Sequence, residues 1–174
     1  MLGDGRGNNK VPQAVKNLSS QVSGSAGSNH NCAIGSGGAV SCWGKNDYFQ
    51  LGTTGTSSSS AVPLSIGGFT ATQISSGYYH TCAINSNNVY CWGKGELSGV
   101  NVNFNTPNGV KDHYDYEVTQ ASAASDGGNT MCARLNDGTV KCRGGGYATL
   151  GNGSSNDQST PVSGISTATQ VANG

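Results

Sequence analysis

Three cysteine pairs on a fixed register constrain what this chain folds into more than any other feature. Cys32, Cys82 and Cys132 stand fifty residues apart, and each is followed by a partner, Cys42, Cys91 and Cys142. Recurrence at that interval signals a repeat architecture, each period being one supersecondary unit that buries its apolar face against its neighbours. Further landmarks keep the same interval. A turn recurs as Leu2-Gly3-Asp4-Gly5, Leu51-Gly52-Thr53-Thr54-Gly55, a worn Leu97-Ser98-Gly99 and Leu150-Gly151-Asn152-Gly153. Pro12, Pro63, Pro107 and Pro161 each follow such a turn, and Gln21, Gln73, Gln120 and Gln170 mark a fourth register, as in Ala71-Thr72-Gln73-Ile74 and Ala168-Thr169-Gln170-Val171.

Between the two cysteines of each pair lies a hairpin pattern, with short alternating strands around Gly35-Ser36-Gly37-Gly38, Asn85-Ser86-Asn87-Asn88 or Asn136-Asp137-Gly138. Gly, Asn and Asp accept the positive φ that tight hairpin turns need. Folding each hairpin about its turn sets its cysteines opposite each other. Directly opposed strand residues have Cα atoms about 4.5–5.5 Å apart, within disulfide reach. The expected bonds are Cys32–Cys42, Cys82–Cys91 and Cys132–Cys142. A metal reading fails on spacing, because no Cys-x-x-Cys is present and the three histidines do not recur as ligands. Disulfides of this kind persist outside the cytosol, so the expected setting is extracellular, periplasmic or at the cell surface.

Composition agrees with many tight turns between short strands: 28 glycines in 174 residues and only 10% charged side chains. Nine basic and nine acidic residues cancel, which lacks the electrostatic footprint of a nucleic-acid or anionic-membrane partner. No apolar run is long enough for membrane insertion as a helix, and Met1-Leu2-Gly3-Asp4-Gly5 is unlike a secretory leader. The expectation is a chain whose leader has been removed, or an internal piece of a longer protein.

Each unit reads as four strands in order: the Gln strand, two cysteine strands and a proline-marked strand, where Pro suits a sheet edge. Tandem four-stranded units of this size, without helical periodicity, are the pattern of propeller blades, with a solenoid as the competing architecture. The fold class is therefore all-β, a β-propeller of which about three and a half blades are present as a partial ring. Residues 1–25 hold the trailing strand of a preceding blade and the first strand of blade one, and 26–70 the remainder of blade one. Residues 71–117 are blade two, 118–165 blade three, and 166–174 the first strand of a following blade.

Gly77-Tyr78-Tyr79-His80-Thr81-Cys82-Ala83-Ile84, Val89-Tyr90-Cys91-Trp92-Gly93 and Gln50-Leu51-Gly52 resemble the signature of the regulator-of-chromosome-condensation repeat, in its disulfide-bearing bacterial form. The resemblance covers nearly the whole chain. It implies a propeller, usually of seven blades, whose face loops recognise protein partners. Family members have unrelated functions, so the fold does not settle this one's.

Departures mark the third unit, with Thr130 in place of His30 and His80, and Arg143 in place of Trp43 and Trp92. The histidines read as strand-end hydrogen-bonding residues and the tryptophans as packing between blades. Tyr78 and Tyr79 fall on a face loop, where aromatic residues anchor partners. Asp112, His113, Tyr114, Asp115 and Tyr116 match no other unit and are a second candidate partner site. They lack the regular oxygen ligands of a calcium loop and the placed carboxylate pair of a glycosidase. No nucleophile elbow, catalytic triad or phosphate loop is present, so no catalytic residue, cofactor or metal is expected. The function that follows is a binding module for a protein or surface glycan. The alternatives are a structural repeat forming or decorating a filament or envelope through its open propeller edges, and a non-catalytic domain of a larger secreted enzyme.

Overall fold

The computed structural model describes residues 13–55, 57–95, 102–109, 117–123, 130–144, 151 and 161–172. These form three antiparallel sheets. The first runs in order through β1 (Gln21–Ala26), β2 (His30–Gly35), β3 (Ala39–Lys45) and β4 (Ser59–Thr70). The second runs through β5 (Gln73–Ser76), β6 (His80–Asn85), β7 (Asn88–Gly95) and β8 (Val102–Gly109). The third holds β9 (Val118–Ala123), β10 (Met131–Leu135) and β11 (Val140–Arg143), with Pro161 bridged to Lys141 where the proline-marked fourth strand is expected.

Local chemistry explains each hairpin. Ser86 and Asn87 both take positive φ, 48° and 61°, giving β6 and β7 a two-residue turn that matches strand twist. The first and third hairpins instead close with Gly38 N–H on Gly35 C=O (2.8 Å) and Gly138 N–H on Leu135 C=O (3.1 Å), each glycine left-handed. That turn is one residue longer, which is why Cys82 and Cys91 are nine residues apart while the other pairs are ten apart. All three disulfides form between directly opposed residues, with Cα atoms 4.0–4.1 Å apart. This is the closer, non-hydrogen-bonded kind of opposition.

The core lies between sheets, sorted by the two-residue period of the strands. Cys32, Ile34, Val40 and Cys42 of the first sheet meet Ala83 and Trp92 of the second. Cys82, Ile84, Val89 and Cys91, on the other side of the second sheet, meet Val118, Met131, Ala133 and Leu135 of the third. On the third, Cys132, Val140 and Cys142 are covered by Val162, Ala168 and Val171. Cysteines thus face the following blade, and the alanine and tryptophan positions face the preceding one. On blade one the corresponding Ala33 and Trp43 are buried, beside a groove that Ala14, Val15 and Leu18 also line, while Val22, at a bulge of β1, is 68% exposed.

The last segment, expected from the sequence to open a following blade, lacks a sheet partner among the described residues. Residues 166–172 form no ladder among the described residues, although Ala168 N–H donates to Gly138 C=O (2.9 Å) as Ala71 N–H does to Gly38 C=O (2.8 Å). The chain therefore leaves blade three along the path by which it leaves blade one. A strand needs a second strand beside it, and no described segment is paired with this one.

Candidate functional site

The junction between blades one and two is built on polar side chains inside an apolar interface. His30 is fully buried, and its Nε2 lies 2.8 Å from Thr81 Oγ1. The Thr81 hydroxyl donates its one proton to the Gln50 carbonyl (3.0 Å), which also accepts Trp92 Nε1–H (2.9 Å). Thr81 has no second proton, so His30 Nε2 is the donor and Nδ1 is bare. Burial, helped by neighbouring His80, lowers the His30 pKa to about 4, and burial lowers His80 to about 4 against an opposing contact with the Thr130 backbone. Neither ring is charged at neutral pH.

One blade further on, the pattern breaks. Met131 stands in the register of Thr81, so that position offers His80 no hydroxyl, and its ring lies instead by the Thr130 backbone at a contact short of hydrogen-bond geometry. The histidines therefore only half match their sequence reading. His30 bonds across to the next blade, not within its own strand end, and among the described residues His80 has only its contact with the Thr130 backbone. Trp43 and Trp92 are both buried, but Trp43 Nε1 has no acceptor among the described residues.

This rigid junction supports an aromatic and cationic cluster at one end of the blades. Gly93, left-handed with φ 96°, lets β7 cross close to the preceding loop, where a Cβ would stand 2.5 Å from the Tyr79 carbonyl. Lys94 N–H donates to that carbonyl (3.0 Å), placing Lys94 beside Tyr79. Tyr48 comes from blade one, on the turn between β3 and β4. Buried Asn46 holds that turn, its Oδ1 accepting from Leu51 N–H (3.0 Å) and its Nδ2 donating to Ser57 C=O (3.0 Å). Buried Gln50 accepts Tyr48 N–H (3.0 Å) through Oε1. Together they hold Phe49 at φ 64°, a conformation costly for a bulky side chain.

The ring centroids of Tyr48 and Tyr79 are 4.7 Å apart, and those of Tyr78 and Tyr79 are 4.2 Å apart in an edge-on arrangement. Lys94 Nζ sits 4.9 Å from the Tyr48 centroid and 5.3 Å from that of Tyr79, within cation–π range of both. Lys45, in the Lys94 register of blade one, pairs with Asp47 at 2.9 Å. That contact raises the Lys45 pKa, and the Tyr78 hydroxyl raises that of Tyr79. The cluster thus joins three tyrosines to two lysines, one of them already paired with a carboxylate. All three tyrosines are half-buried.

Of the residues singled out from the sequence, Tyr78 and Tyr79 lie in this cluster. Asp112, His113, Tyr114, Asp115 and Tyr116 lie outside the described residues. Sequence reasoning missed Tyr48 and Lys94. The available signal was the recurring Trp-Gly-Lys at 43–45 and 92–94, which brings a lysine to the same face in blades one and two. At the opposite end, a groove of about 550 Å³ runs between the hairpin turns of blades one and two, lined by Ile34, Gly38, Ala71 and Asn85 without a charged group. Among the described residues no three His, Cys, Asp or Glu side chains converge to hold a metal.

Comparison with known proteins matches this architecture. Two models of the regulator of chromosome condensation (RCC1) repeat fit residues 37–84 and 22–50. The human probable E3 ubiquitin-protein ligase HERC4 is 25% identical over 162 residues, covering 87% of this chain and 15% of that protein. Yeast RCC1 (Prp20), solved bound to Kap60, superposes with a TM-score of 0.74 at 20% identity, over 88% of this chain and 39% of that one. Prp20p from Saccharomyces cerevisiae, solved alongside its binding to Gsp1p and histones, gives 0.74 at 15% identity, over 97% and 44%. The chain thus spans well under half the length of these relatives, and such identities carry the fold alone. Three stacked antiparallel sheets, the superposition on yeast RCC1 and the repeats matched over residues 22–84 identify the chain as part of a β-propeller that carries RCC1-type repeats.

Proposed function

We propose that this chain is a non-catalytic protein-binding module working outside the cytosol, which takes its partner at the tyrosine cluster between blades one and two. The observation that carries the reading is the cluster itself. Tyr48 from one blade and Tyr78 and Tyr79 from the next converge on Lys94, held by buried Asn46 and Gln50. Rigid aromatic side chains give large contact area at little entropic cost, and Tyr is among the residues that dominate binding hot spots. Partner binding by yeast RCC1, seen with Kap60, supports a protein over a glycan. The three disulfides support an oxidising setting. The junction histidines are neutral, buried and without a carboxylate partner, an arrangement suited to packing and not to proton transfer.

Selection of a displayed random-peptide library on the immobilised chain tests this. Peptides retained by the wild type and released by the Tyr48→Ser/Tyr79→Ser variant are expected; peptides held equally by both would sink the proposal.

A second reading, assembly of copies through open blade faces, has one observation in its favour. Val22 is exposed on blade one, and the buried Trp43 Nε1 has no acceptor among the described residues, whereas the Trp92 Nε1 of blade two donates to Gln50 of blade one. Sedimentation at rising concentration separates the readings, since a mass fixed at 17.6 kDa excludes assembly.

A further inference from the structure

We infer that the partner segment taken by the tyrosine cluster is acidic, and that Lys94 is the residue that selects it. The inference rests on the binding reading above and adds the chemistry of the bound segment.

The two lysines of the cluster occupy the same position in successive blades but are in different electrostatic states. Each follows a Trp-Gly pair and donates its N–H to the carbonyl of a face loop: Lys45 to Asn29 (2.8 Å) and Lys94 to Tyr79 (3.0 Å). Lys45 has a carboxylate, Asp47, at 2.9 Å. Lys94 has none among the described residues, and its ammonium rests against the rings of Tyr48 and Tyr79. An aromatic face attracts a cation without neutralising it, so the Lys94 charge remains available to an anion. Its side chain is also already ordered, which removes much of the entropy that a flexible lysine loses on binding. A pre-placed cation flanked by phenol hydroxyls and apolar ring edges suits a carboxylate side chain on an extended peptide, with neighbouring residues packing on Tyr78 and Tyr79.

Charge complementarity within the site leads to the same partner. With Asp47 occupied by Lys45, the cluster offers, among the described residues, one uncompensated positive charge and no free negative one. A basic segment meets repulsion from Lys94, and a neutral one leaves that charge without a partner once water is displaced. Anionic sugars share the carboxylate but stack on open ring faces; here Lys94 lies over the rings of Tyr48 and Tyr79.

The test is parallel library selection on three immobilised proteins: the wild-type chain, Lys94→Met, which keeps the apolar stem on the rings, and Tyr48→Ser/Tyr79→Ser. The expected result is wild-type peptides enriched in Asp and Glu, weakened by about tenfold in Lys94→Met, with affinity that falls as salt rises for the wild type only. Peptides that need the tyrosines but show no acidic enrichment, or that bind Lys94→Met equally well, overturn the inference and leave the binding site standing. Peptides indifferent to the tyrosines overturn the binding reading itself. A galacturonate oligosaccharide added as competitor is expected to leave the acidic peptides bound; if it displaces them and itself binds more tightly, the site is for an anionic glycan and the inference fails.

Discussion

At the residue scale, the chain is governed by a few buried polar groups whose partners lie in the neighbouring blade. Thr81 is the clearest case, since one hydroxyl serves both His30 and the Gln50 carbonyl. Replacing Thr81 by Val keeps the shape but strands the buried His30 N–H, and is expected to lower stability by about 1–3 kcal/mol in urea unfolding. His30 and His80 make stability depend on pH in a definite direction. Their folded pKa values, about 4, lie below the ordinary 6.5, so between these values the unfolded chain binds more protons than the folded one. Stability is fully present above pH 6.5 and falls as pH drops toward 4, by up to about 1.4 kcal/mol per pH unit for each histidine. Thermal midpoints flat above pH 7 and declining below 6.5 are the expected outcome, with a shallower decline in His80→Phe. None of this was legible in the sequence. His30 and His80 occupy identical positions there, and only the register of Thr81 against Met131 in the next blade distinguishes them.

At the element scale, legibility was high, because hairpins are decided locally. Turn chemistry and cysteine spacing lie within a dozen residues of each other, and the nine-residue spacing of Cys82 and Cys91 already encoded the tighter turn around Ser86 and Asn87. Two of the bonds lie buried between blades and the third beneath Val162, Ala168 and Val171, all within residues at most 5% exposed. Each bond closes a small loop, so its loss is expected to cost about 2–3 kcal/mol, and reduction requires that cover to open first. Dithiothreitol should therefore reduce the folded chain far more slowly than the chain in urea, as followed by thiol labelling and mass measurement; equal rates would contradict burial of the bonds. What the local pattern did not reveal was the outcome at 166–172. Its Ala-Thr-Gln-Val sequence matches that of β5's approach, yet a strand exists only where another lies alongside.

At the scale of the whole molecule, the repeat places loops of successive blades at one end, and function is read from how those loops differ between blades. Tyr48 and Tyr79 are 31 positions apart and meet only because two blades stack, so the sequence marked Tyr78 and Tyr79 but not their neighbours. The opposite end of the same blades carries the hairpin turns, with Asn85 and Ser86 beside a groove lined without charge. That end is an internal control. The most direct measurement is the affinity of a selected peptide for the wild-type chain, for Tyr79→Ser and for Ser36→Tyr, an exposed position on the same groove, all checked for equal thermal midpoints. The account predicts a loss of about tenfold or more for Tyr79→Ser and less than about twofold for Ser36→Tyr; equal losses, or a greater loss at Ser36, would place the binding surface at the other end and contradict it.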